Sequence, residues 1–174
     1  MTADQSRVDP TAIADAMRII EGLHGRDRHS LKQFTRQVQD ALDAWGHSVL
    51  TQAFMLLIGV GCDQMKFPEY QPELRFRLAG AATNLIYRAP LRQEVPANVL
   101  PTLAGGFTAA LTGVDVYQWR IGLGPIPESE TIAWAYACAM TVAILDDKLG
   151  PGVFGQVVAA ITEAGDGKED LPPT

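Results

Sequence analysis

Apolar residues recur at three- and four-residue intervals along almost the whole chain, the period of a helix with one buried face. Asp9-Pro10 opens the first such stretch, an acceptor side chain followed by proline at the first helical position. Ile13, Ala16, Met17, Ile20 and Leu23 then mark one face, and Gly22 and Gly25 predict its end. Ser30 is placed to cap a second, long helix. Its stripe runs through Leu31, Phe34, Val38, Ala41/Leu42, Trp45, Val49 and Leu56 and broadens at Ala53–Ile58. Gly46 permits a bend within it, and Gly59 and Gly61 predict its end.

Pro72 predicts the start of a third helix with Leu74, Leu78, Ala81/Ala82 and Leu85 inward, stopped by Pro90. Pro96 to Gly113 reads as a helix of small residues, with Ala104-Gly-Gly106 and Ala109-Ala110 inviting close packing. Residues 114–127 lack a sustained period. Asp115–Ile121 is expected to be a short helix and the Gly/Pro-rich remainder an ordered loop. Glu128–Leu149 is a long helix, apolar from Ile132 to Leu145, which is too short a run to span a bilayer. Gly150-Pro151 breaks it, and Val153, Val157, Val158 and Ile161 mark a last helix. No alternating strand pattern or hairpin signal competes. The expected fold is all-α, a single-domain bundle of about six helices over residues 1–164, with a charged, proline-ended disordered tail at 165–174.

Composition narrows the function classes. With 47% hydrophobic and 20% charged residues, the chain is neither disordered nor a low-complexity sequence. Its net charge of −6 opposes non-specific nucleic-acid binding. The charge is uneven: residues 64–100 carry 5 basic and 3 acidic groups, residues 101–174 carry 3 and 9. Cys62 and Cys138 lie in apolar segments, as expected of reduced core residues in a cytoplasmic protein, and residues 1–10 have no signal-peptide core. Alanine richness and 10 Arg against 4 Lys suggest a bacterial coding bias.

Chemistry is sparsely signposted. His24, His29 and His47 lack zinc-ligand spacing, although Asp43 and His47 could share a helix face. Asp146-Asp147 ends an apolar helix, where paired carboxylates could hold a divalent cation, but no further carboxylate follows and Lys148 adjoins them. No nucleophile elbow or phosphate loop is present: Gly59-Val-Gly61 follows a helix rather than preceding one. No cofactor and no metal site is therefore expected.

Arginine and aromatic residues point instead to contact surfaces. Arg77 and Arg88 share a face of the third helix with Asn84, suited to an acidic partner. Tyr117, Trp119 and Arg120 fall in the irregular segment and are residue types enriched at interface centres, although Trp119 could equally plug the core. The leading expectation is a non-catalytic helical interaction protein acting through protein–protein contacts and self-associating, with no nucleic-acid or membrane partner. The alternative is a small-molecule or lipid-binding bundle with its cavity among Phe54, Met55, Trp134, Tyr136 and Met140, or an enzyme using Asp146/Asp147 with a divalent metal.

Overall fold

The computed structural model describes residues 8–23, 28–64 and 97–166. These form seven α-helices and no strand: α1 (Pro10–Glu21), α2 (Arg28–Trp45), α3 (His47–Gln64), α4 (Leu100–Leu111), α5 (Val116–Ile121), α6 (Glu128–Leu149) and α7 (Val153–Asp166). A 3-10 turn, Ala97–Val99, leads into α4. The third helix expected after Pro72 lies outside the described residues, and so do Arg77 and Arg88. Among the described residues no helix is long and apolar enough to cross a membrane.

Local signals account for most helix ends. The Asp9 carboxylate accepts from the Thr11 N–H at 2.8 Å, and Gly22 closes α1 with its N–H on the Arg18 carbonyl. α6 and α7 begin where the sequence predicts. The last helix reaches Asp166, two residues beyond the expected limit of the domain.

The long second helix is a correction. It is two helices, because Gly46 takes φ +78°, a left-handed conformation that an α-helix does not contain. The break restarts the helical phase. Leu50, Ala53, Phe54, Leu57 and Ile58 face inward, while Leu56, counted in the apolar stripe, is 37% exposed. The break also separates Asp43 from His47, which end on different helices and are both exposed. Ser30 is inside α2 rather than at its cap, since the helix starts at Arg28. Nor do Gly59 and Gly61 terminate α3, which runs to Gln64. Gly61 is where α3 closes on α6 and α7: a Cβ there would stand 2.9 Å from Leu145 Cδ1 and 3.5 Å from Phe154 Cε2.

α3 and α6 form the centre of the bundle. They run in the same direction, since Thr51 meets Thr131 through a buried 2.7 Å hydrogen bond and Gly61 lies on Thr141 and Leu145. From Ala133 to Val142 every α6 residue is buried. α2 packs on α6 through Phe34 and Tyr136, whose rings lie 4.8 Å apart. The Tyr136 hydroxyl is satisfied by Thr35 Oγ1 at 2.8 Å and donates to the Leu31 carbonyl at 3.3 Å, so this ring is buried without an orphaned polar atom. Trp45 is half-buried and donates its indole N–H to Asp15 at 2.9 Å, which ties α2 to α1.

Candidate functional site: an apolar shelf held by a buried ion pair

Residues 112–127 join α4 to α6 and form the most irregular part of the described chain. α4 ends in paired capping bonds: the Gly113 N–H reaches the Ala110 carbonyl and the Val114 N–H reaches the Ala109 carbonyl, with Gly113 at φ +80°. One residue later Asp115 caps α5, accepting from the Gln118 N–H at 2.8 Å. Val114 is thus held between two fixed helix ends and is 48% exposed. After α5 the chain turns at Gly122 and Gly124, leaving Ile121 at 41% and Leu123 at 62% exposure. Leu56 on α3, at 37%, is the one other exposed large apolar side chain among the described residues.

The aromatic residues of the segment point partly inward. α4 offers adjacent glycines as seats for two indoles. A Cβ on Gly105 would meet the Trp119 ring at 2.7 Å, and one on Gly106 would meet Trp134 at 2.4 Å. The small-residue run of α4 therefore serves tryptophan packing. Trp119 is partly buried against the core, and Tyr117 is partly buried with its hydroxyl 3.3 Å from Ser48 Oγ.

Arg120, expected at a partner surface by its residue type, is turned inward. Its Nε–H and one Nη2–H donate to the two Glu130 carboxylate oxygens at 2.9 and 2.7 Å. Nη1 donates to the Gly124 carbonyl at 3.0 Å and Nη2 to that of Pro125 at 3.3 Å. Glu130 also accepts from the Trp134 indole at 3.3 Å. A buried charge is tolerable only when paired and hydrogen-bonded, and this network meets both conditions. Its structural effect is to draw the 122–127 loop around one guanidinium. In the sequence Glu130 is simply an acid in the first turn of α6, where the helix dipole favours it. The one available signal was weak: opposite charges ten residues apart, flanking a Gly/Pro turn.

Val114 also lines a groove of about 250 Å³ between α3 and the junction of α4 with α5. Met55, Leu56, Val60 and Val114 give it apolar walls, and Asp63 and Asp115 also line it.

The residues named for a ligand cavity behave as core. Phe54, Met55, Trp134, Tyr136 and Met140 are all buried, on α3 and α6, and of the five only Met55 also lines the groove. Asp146 and Asp147 are on the last turn of α6. Asp146 Oδ1 is buried with no hydrogen-bond partner among the described residues, and Asp147 is exposed. Among the described residues no three His, Cys, Asp or Glu side chains converge as a metal site would require. Cys62 and Cys138 are both buried, and neither is in a disulfide. Burial raises the Cys138 thiol well above its usual range, and the nearby Cys62 adds to the shift, so the reactive thiolate is disfavoured there.

The chain matches no protein-family model, and neither a curated protein nor a solved structure is significantly similar to it.

Proposed function

We propose that this chain is a non-catalytic helical interaction protein whose partner surface is the shelf of Val114, Ile121 and Leu123 with the adjoining α3 flank. The observation that carries the reading is their concentration: among the described residues, three of the four large exposed apolar side chains fall within ten residues, on a segment fixed by Arg120 and Glu130. Exposed apolar side chains gathered on one segment favour burial against another molecule. A segment already ordered by capping and by an ion pair loses little conformational entropy on binding. The exposed Asp115 carboxylate in the groove lining favours a partner segment that is apolar and basic, since complementary charge steers encounter and rejects acidic competitors. In this reading Tyr117 and Trp119 buttress the shelf and Arg120 holds it in place. The protein acts in the cytoplasm and also self-associates.

Site-specific photocrosslinking in the expressing cell tests this. A crosslinker at Gln118, exposed on α5, is expected to give discrete protein adducts that disappear with Ile121→Ser/Leu123→Ser. A crosslinker at Gln156, exposed on α7, serves as control. Identical adduct patterns from both positions, or adducts indifferent to the double substitution, would refute the assignment.

A further inference from the structure

We infer that the outward face of α2 is a twofold docking surface on which a second copy of this chain pairs antiparallel, an inference that rests on the self-association in the reading above. α2 buries Leu31, Phe34, Val38, Ala41 and Leu42 and exposes Lys32, Arg36, Asp40 and Asp43 on the opposite side. At about 100° per residue these four fall within an arc of roughly 80°, along about 17 Å of helix. Their signs are segregated, with both bases in the N-terminal half and both acids in the C-terminal half.

None of the four forms an ion pair within the described structure. Arg36 and Asp40 are four residues apart, but the base precedes the acid, the less favourable order on a helix. Asp15 and Arg18 on α1 have the acid first and do pair, at 2.7 Å. The α2 charges are therefore left for an outside partner, and their order is self-complementary. An axis near Gln37 and Val38 sets Arg36 of one copy against Asp40 of the other and Lys32 against Asp43, each pair made twice by symmetry. A parallel arrangement would instead oppose like charges.

Shape agrees with charge. Asp40 lines a cleft between α1 and α2 with Ala41 and Ala44. The other charged groups of that cleft, Asp15 and Arg18, engage each other, so Asp40 is its open charge. Small alanine side chains leave room for the aliphatic stem of an incoming Arg36. The basic half borders a second hollow, lined by His29, Lys32, Gln33, Arg36 and Gln37. Solvent-exposed pairs contribute little each and are screened by salt, so this contact sets register and orientation in a weak, salt-sensitive dimer.

The test is native mass spectrometry and sedimentation velocity of the full chain at low ionic strength. Wild type is expected to dimerise and to dissociate as salt is raised. Lys32→Glu/Arg36→Glu gives an all-acidic face and Asp40→Lys/Asp43→Lys an all-basic one. Each alone is expected to self-associate at least about tenfold more weakly, while their mixture forms a mass-resolved heterodimer at least as tight as wild type. All four positions are exposed, and circular dichroism checks that the variants keep their helix content. A monomeric wild type, a dimer indifferent to salt or to charge reversal, or a mixture without heterodimer would overturn the inference. Ile121→Ser/Leu123→Ser separates the two assignments. It is expected to leave the dimer intact. If it abolishes the dimer, the shelf is the self-association surface and the α2 assignment fails. If Gln118 gives no specific adducts while the charge-swap pattern holds, the shelf assignment fails and the α2 dimer stands.

Discussion

Arg120 and Glu130 meet as a two-pronged pair with both side chains only 7% exposed, and the distances of 2.7 and 2.9 Å are those of charge-assisted hydrogen bonds. The two residues are on different helices, and the turn between them supplies carbonyls from Gly124 and Pro125 to the same guanidinium. One side chain thus organises a loop that has little apolar core of its own. The exposed positions of Ile121 and Leu123 follow from where this pair holds the backbone.

Truncating Arg120 should leave Glu130 buried without its counter-charge. Arg120→Ala is expected to cost about 3–5 kcal/mol, the usual loss on breaking a buried pair from one side. Arg120→Lys should recover little, because an ammonium cannot serve a carboxylate and two loop carbonyls from one planar fork. Urea unfolding measures the loss, and hydrogen exchange at residues 122–126 should accelerate in the same variants. A loss below about 1 kcal/mol would mean that the pair does not hold the loop.

Three glycines should respond differently to the same methyl group. Gly106→Ala would drive a Cβ to 2.4 Å from the Trp134 ring, and overpacking of this kind costs about 1–3 kcal/mol. At Gly46 a Cβ meets nothing within 4 Å, but φ is +78°, and the left-handed conformation costs an L-residue roughly 1–2 kcal/mol. Gly59 is inside α3 with open space around it, so Gly59→Ala should stabilise by roughly 0.5–1 kcal/mol. Thermal or urea unfolding of the three variants checks the order. A destabilised Gly59→Ala would show that α3 is not a continuous helix there.

Asp15 links stability to pH. The Trp45 indole N–H and the Arg18 guanidinium both donate to its carboxylate and hold it below the usual value of 3.8. The folded state therefore favours the ionised form. The resulting stabilisation is fully present above the unfolded carboxylate range, about pH 4, and is lost as pH falls through the lower folded value. Wild type should exceed Asp15→Asn in stability at pH 7, with the gap closing toward pH 2–3. A titration of Trp45→Phe by NMR should show Asp15 moving back upward. A gap independent of pH, or an unmoved Asp15, would contradict this.

Much of the helical skeleton was legible because its signals are local. Asp9-Pro10, Asp115 and Gly150 mark helix ends through capping chemistry that acts within one turn, and the amphipathic period of α1 and α2 identifies their buried faces. The irregular stretch at 114–127 likewise announced itself by losing any period. What the sequence could not determine depends on groups brought together from a distance. Gly46 could equally have bent a helix or broken one. The left-handed turn it takes resets the phase of α3, and that is why Leu56 faces out. α6 is apolar on nearly every side, so its pattern carries no preferred face and says nothing of whether Trp134, Tyr136 or Met140 lines a cavity or fills the core. The fate of Arg120 was least legible of all. A guanidinium is an exposed contact residue or a buried clamp according to whether a carboxylate waits in the interior, and Glu130 reaches that place only because α5 and α6 fold back on each other. Local bonding fixes helix ends, whereas the environment of a charge is a property of the assembled bundle.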